Sequence, residues 1–80
     1  MTLFIFGEND QQAIEYARKN KFRPGTFHVL SRVDAMRRFK FTEPPQALLV
    51  GRVERRHDYE DLMATLQEFH TIVNRIALSA

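Results

Sequence analysis

The chain has 80 residues, of which 44% are hydrophobic, and its twelve basic and ten acidic side chains leave a formal net charge of +2. This length fits one small domain spanning residues 1–80, and the apolar content is too high for a disordered chain. The sequence contains no cysteine, which excludes disulfides, thiolate nucleophiles and cysteine-based zinc sites.

Met1 leads directly into an apolar run without a basic segment before it. No apolar run approaches the ~18 residues that a membrane-spanning helix needs. The sequence therefore predicts a cytoplasmic protein, either of a cell or of a virus growing inside one.

The first element is a continuous apolar run, Leu3–Phe6, which is typical of a strand buried on both faces in a parallel sheet. Gly7 ends the run, and Asn9 or Asp10 can cap a helix by accepting hydrogen bonds from the amides of its first turn. Apolar residues then recur at helical spacing, which predicts a helix that runs to Asn20.

A second strand is predicted over Phe27–Leu30, after the strong turn signal Pro24-Gly25. Ser31 follows as an expected N-cap, and a short second helix should begin there and fade out by Phe41.

The third predicted strand is Ala47–Val50, which is again uniformly apolar and is again followed by a glycine. A charged loop over 52–57 leads to Asp58, a suitable cap for the last helix. That helix is predicted from a stripe of apolar residues spaced by three and four: Leu62, Leu66, Phe69, Val73 and Ile76.

The predicted order of elements is therefore β-α-β-α-β-α. Because crossovers between parallel strands are right-handed, this order predicts a three-layer α/β domain with a three-stranded parallel sheet and three helices. The favoured strand order is 2-1-3, a minimal Rossmann-like or flavodoxin-like fold with its most hydrophobic strand in the centre. The order 3-2-1 remains the alternative.

In open α/β sheets, ligands bind beyond the carboxyl ends of the strands. Asn9, Asp10, Arg32 and Arg52 follow predicted strands and could together bind an anion or a nucleotide. No phosphate-binding glycine motif accompanies them, and Glu8 and Asp10 would repel phosphate. The competing interpretation is that the glycines only permit turns and that Asn9 or Asp10 only caps a helix.

The sequence offers little support for an enzyme. Its three histidines, His28, His57 and His70, lack the spacing of a metal-binding set, so neither a metal nor a cofactor is predicted. The third strand ends in Val50-Gly51 without the aspartate that a phospho-acceptor site needs. No serine lies in a nucleophile motif, and no catalytic residue is assigned.

Two groups of residues point instead to a protein partner, which could be a second copy or a host factor. Aromatic and arginine side chains are the usual anchors of protein interfaces. The first group is the charged loop with Arg52, Arg55, Arg56, His57 and Tyr59, and the second is the pair Phe39 and Phe41. Nucleic-acid binding by the arginines is a weaker alternative, because acidic residues are interleaved with them. The competing interpretations are a solvated charged face and aromatic residues that complete the core.

The chain also resembles the small Rossmann-like proteins encoded by tailed phages. The resemblance is carried by the strand Leu3–Phe6, the helix segment Gln12–Asn20, the turn Arg23–Gly25 and the strand with its glycine, Ala47–Gly51. It implies a cytoplasmic, host-interacting or phage-regulatory role, and it transfers no catalytic residue. The residues themselves favour a non-enzymatic module that binds another protein.

Overall fold

A computed structural model describes residues 2–78 of the protein. The strands are β1 (Leu3–Phe6), β2 (Gln46–Val50) and β3 (Ile72–Ile76), and the α-helices are α1 (Asp10–Lys19) and α2 (Tyr59–Glu68). Two 3₁₀ helices, Val33–Arg38 and Val53–Arg55, complete the regular elements of the described residues.

The three strands form one parallel sheet in the order β1-β2-β3. Leu3 lies opposite Gln46, which in turn lies opposite Ile72. The predicted α/β class with a three-stranded parallel sheet is confirmed, whereas the favoured order 2-1-3 is wrong. The order differs because the predicted second strand does not form and because an unpredicted strand, β3, joins the sheet beyond β2.

The segment predicted as the second strand, Phe27–Leu30, contributes only a single parallel bridge between His28 and Phe4. The amide of Ile5 donates to the carbonyl of His28 at 3.0 Å, and the amide of His28 donates to the carbonyl of Leu3 at 2.9 Å. Residues alternate in direction along a strand, so these groups leave β1 on the side away from β2. The segment therefore lies beside β1 without forming a strand of its own.

The last helix is much shorter than predicted, because α2 ends at Glu68. His70 has a left-handed backbone, with φ +52, and the amide of Thr71 donates to the carbonyl of Leu66 at 2.9 Å. This geometry closes the helix. The branched side chains of Ile72–Ile76 then favour the extended conformation, so the predicted helix through Ile76 is wrong.

The second predicted helix is a 3₁₀ helix, Val33–Arg38, and its N-cap is Arg32, whose side chain makes no capping hydrogen bond. Ser31, the expected cap, instead donates its hydroxyl to Asp10 Oδ2 at 2.6 Å. Short connecting segments often adopt this tighter helix.

Helices cover both faces of the sheet and give the predicted three layers. On one face, Ala13 and Ala17 of α1 pack against Ile5 and Val50. On the other face, α2 and the 3₁₀ helix Val33–Arg38 cover a larger apolar cluster formed by Phe4, Phe6, Val33, Met36, Ala47, Leu49, Val53, Leu62 and Leu66. The core thus lies mainly over β1 and β2.

Candidate functional site

The loop after β1 is organised around the start of α1. The amide of Gln12 donates to Asn9 Oδ1 at 2.9 Å, which confirms Asn9 as the N-cap. The side chain of Gln12 turns back, and its Oε1 accepts the amide of Glu8 at 2.7 Å. This reciprocal arrangement is close to a capping box, so the polar groups of Asn9 are used by the helix itself.

The other residues of the predicted anion site lie in different surroundings. Asp10 accepts the hydroxyl of Ser31, and Arg32 forms an exposed pair with Asp34 at 3.5 Å. Arg52 is exposed at the N-cap of the 3₁₀ helix Val53–Arg55. The shallow depression beside Asn9 and Asp10 includes neither arginine among its lining residues.

Arg56 is the most enclosed charged residue of the loop 52–57, with only 7% of its side chain exposed. Its Nε and Nη2 donate to the two carboxylate oxygens of Asp58 at 2.8 and 3.1 Å, and its Nη1 donates to the carbonyl of Gly7 at 3.0 Å. The guanidinium carbon lies 5.7 Å from the centre of the Phe6 ring. Its hydrogen bonds therefore tie this loop to the end of β1.

The rest of the loop is more open. Arg55 is 57% exposed and lies 3.9 Å from Glu8, a distance too long for a strong pair. His57 and Arg52 are exposed. Tyr59 is half-buried and packs against the core cluster that α2 covers. The loop thus presents Arg52, Arg55 and His57 to solvent, while the side chains on either side of His57 belong largely to the fold.

A cleft of about 520 Å³ opens between the 3₁₀ helix Val33–Arg38 and the first turns of α2. Its ionisable lining residues are Arg32, Asp34, Arg37, His57, Asp58 and Asp61. Arg32 pairs with Asp34, and Arg37 pairs with Glu68. Two of its cations are therefore already paired with carboxylates, and residues 2–78 contain no cluster of His, Cys, Asp or Glu able to hold a metal ion.

Phe39 and Phe41 belong to an aromatic group at the edge of the core. The ring of Phe39 lies edge-on to the ring of Phe4, and the two ring centroids are 5.1 Å apart. The centroid of the Phe39 ring also lies 4.9 Å from that of the His28 ring. Phe41 packs against Phe69 at 5.2 Å. Both residues are half-buried against the core cluster, which is the arrangement expected of side chains that complete a core.

Strand β3 is the most exposed regular element in the described part of the chain. Four of its five residues are exposed, and Ile72 and Val73 have 49% and 36% of their surface accessible. Ile76 is half-buried and packs against the cluster that α1 covers. Because side chains alternate along a strand, Ile72 and Asn74 share that face with Ile76.

The outer edge of β3 carries backbone groups that no other strand within residues 2–78 satisfies. The amide of Ile72 donates to the carbonyl of Pro45 at 2.9 Å, and the carbonyl of Ile76 accepts from the amide of Gly51 at 2.9 Å. In a regular parallel ladder, successive residues point their amides and carbonyls in opposite directions, so Asn74 faces β2 together with Ile72 and Ile76. Val73 and Arg75 therefore present both groups to solvent.

Of the features that commonly protect edge strands against pairing, β3 carries one charged side chain. Native edge strands are commonly interrupted by proline, lysine or a bulge, and β3 has none of these. Its one charged side chain, Arg75, donates to Glu54 at 2.8 Å. The pKa of Glu54 is held below its usual value, first by a backbone hydrogen bond at Glu54 itself and then by the one from Arg75.

Sequence reasoning missed this strand, although a signal for it was present. Ile72-Val73 is a branched pair placed directly after His70 and Thr71. Such a pair favours an extended backbone. The apolar spacing from Leu66 to Ile76 fits a helix equally well, so it does not show that the helix ends and a strand begins within this segment.

In comparisons with known proteins, no family model, no curated protein and no solved structure matches this chain. Within residues 2–78, no helix combines the length and apolar character required to cross a bilayer.

Proposed function

We propose that the protein is a non-enzymatic binding module that adds a strand of a protein partner to the open edge of β3. The observation that carries this proposal is the pair of free backbone positions at Val73 and Arg75, placed next to the exposed side chains of Ile72 and Val73. Strand addition draws affinity from main-chain hydrogen bonds and specificity from alternate side chains. Both kinds of contact are available on this edge.

The charged loop has a smaller part in this proposal. Arg56 is committed to Asp58 and Gly7, which leaves Arg52, Arg55 and His57 as the loop residues open to a partner. A second contact region at these three residues stays a prediction, and so does the regulatory role that the phage resemblance implies.

A displayed library of random peptides, selected on the immobilised protein, tests the function directly. We expect enrichment of peptides with alternating branched or aromatic residues, because such peptides adopt the extended backbone that pairs with an edge strand. The discriminating variant is Val73→Pro. Proline removes an amide that points to solvent, and such positions of edge strands tolerate it.

The enriched peptides should bind the Val73→Pro variant at least tenfold more weakly than the unmodified protein. A double variant, Arg52→Ala with Arg55→Ala, is the control, since it changes exposed loop residues and should keep most of the binding. Circular dichroism and thermal unfolding establish that both variants are folded. Equal binding to the Val73→Pro variant, or no enrichment at all, would overturn the assignment of function to this edge.

A further inference from the structure

We propose that the strand added to β3 is β3 of a second copy of this chain, antiparallel to the first and related to it by a two-fold axis at Asn74. This inference rests on the proposed function and names its partner. It also fixes one register, and the register determines which residues face each other across the interface.

The free backbone groups select the register. Two antiparallel strands exchange hydrogen bonds through residues whose amides and carbonyls point toward each other. When Asn74 lies opposite Asn74 of the second copy, Val73 lies opposite Arg75 of that copy. These are the residues whose backbone groups point outward. Among two-fold registers, this one pairs all of Ile72–Ile76 with the same strand of the second copy.

The side chains on the α1 face match in this register. Ile72 lies opposite Ile76 of the second copy, and the two such pairs flank a central pair of Asn74 side chains. Directly opposed apolar residues stabilise antiparallel pairing. An asparagine amide both donates and accepts, so two of them can bond each other across the axis. The exposed surface of Ile72, 49% of its area, would be covered by this contact.

The two neighbouring registers are each disfavoured, one by charge and the other by mismatched side chains and backbone. A two-fold axis at Arg75 would place two guanidinium groups directly opposite each other, and like charges in that position destabilise strand pairing. An axis at Val73 would place Ile72 opposite Asn74 and Ile76 opposite His70, whose backbone is left-handed. In the register centred on Asn74, each Arg75 faces a valine and keeps its own Glu54.

The size of the contact sets the expected strength. One pair of five-residue strands buries less than the roughly 1,200 Å² of a stable complex. We therefore expect an equilibrium between monomer and dimer that depends on protein concentration. This equilibrium suits sedimentation velocity over a wide series of concentrations.

A charge exchange at Asn74 is the decisive experiment. We expect Asn74→Lys and Asn74→Glu each to raise the concentration for half-dimerisation at least tenfold, because like charges meet at the axis. An equimolar mixture of the two variants should form dimers again, because opposite charges then meet. The matched controls are Gln67→Lys and Gln67→Glu, which change an exposed residue of α2 and should dimerise as the unmodified protein does.

The outcomes separate this inference from the proposed function. A dimer that the mixture restores supports the Asn74-centred register, and a dimer that neither Asn74 variant weakens overturns it. A protein that stays monomeric at millimolar concentration also overturns the inference, while peptide binding that Val73→Pro abolishes would leave the proposed function in place. If Val73→Pro changes neither dimerisation nor peptide binding, both proposals are wrong.

Discussion

The guanidinium group of Arg56 donates two hydrogen bonds to the carboxylate of Asp58, from Nε to Oδ1 at 2.8 Å and from Nη2 to Oδ2 at 3.1 Å. The remaining nitrogen, Nη1, donates to the carbonyl of Gly7 at 3.0 Å. This hydrogen bond connects the end of β1 to the loop that follows β2. A planar, two-pronged donor is needed for this geometry, and lysine cannot supply it.

The first prediction concerns the contrast between Arg56 and its neighbour. Arg56→Ala should lower the free energy of unfolding by about 3–5 kcal/mol, because it leaves an enclosed carboxylate and a carbonyl without their donor. Arg55→Ala should cost less than about 1 kcal/mol, since its pair with Glu8 is exposed and long. Urea unfolding of the two variants measures the difference. Equal losses in the two variants would contradict the structural role of Arg56.

The second prediction is a dependence of stability on pH. The hydrogen bonds from Arg56 are the largest influence on Asp58, and they hold its pKa below the ordinary value of 3.8. A carboxyl group with a lowered pKa in the folded state stabilises the fold above its unfolded pKa, and this contribution is lost as the pH falls through the folded value. The stabilisation should therefore be complete at neutral pH and fade below about pH 4.

Asp58→Asn tests this dependence. At neutral pH the substitution should lower the free energy of unfolding by roughly 1.5–3 kcal/mol, the usual range for a hydrogen bond to a charged group. The difference from the unmodified protein should narrow as the pH falls below about 4. Asp34→Asn, which affects only an exposed pair with Arg32, is the control. A difference that stays constant down to pH 2 would refute the assignment.

The sequence predicts the strands β1 and β2 and the start of α1 well, and it predicts the charged loop and the end of α2 poorly. The difference has physical reasons. Leu3–Phe6 and Ala47–Val50 are uniformly apolar and each is followed by a glycine, so local pattern and burial agree there. Asn9 is a predictable cap because its role involves only the next three residues. In these places, short-range information is sufficient.

The charged loop and the end of α2 depend on features that the local sequence pattern does not show. The hydrogen bond from Arg56 to Gly7 links positions 49 apart, and nothing in the charged loop distinguishes Arg56 from Arg55. The end of α2 depends on the left-handed backbone of His70, a position where glycine would have given a signal. The first feature determines which arginines of the loop are open to solvent, and the second allows β3 to form. The loop residues and the edge of β3 could therefore be predicted only in part.

The third prediction compares two glycines with left-handed backbones. Gly25 has φ +88, and a methyl group there would meet nothing within 4 Å. Gly51 has φ +68, and the same methyl would lie 3.0 Å from Leu78 Cδ1 and 3.2 Å from Gln12 Oε1. Gly25→Ala should cost about 1–2 kcal/mol, the strain of an L-residue in this conformation. Gly51→Ala should cost more, because the side chains of Leu78 and Gln12 must also move.

Thermal or urea unfolding of both glycine variants gives the comparison, and the difference between their free energies of unfolding reports the crowding at Leu78 and Gln12. Since Gln12 Oε1 also accepts the amide of Glu8, its movement would loosen the start of α1. A larger loss of stability in Gly25→Ala than in Gly51→Ala would contradict crowding at Gly51.

The last prediction tests the open edge of β3 without any partner. In dilute solution, the amides of Asn74 and Ile76 should be protected from hydrogen exchange, because the parallel ladder directs them toward β2. The amides of Val73 and Arg75 should exchange at least tenfold faster, since they point to solvent. Exchange followed by NMR resolves each of these residues. Raising the protein concentration should slow exchange at Val73 and Arg75 selectively if a second copy pairs there. Equal protection of all four amides in dilute solution would mean that the edge is already covered, and the site would then have to be sought elsewhere on the molecule.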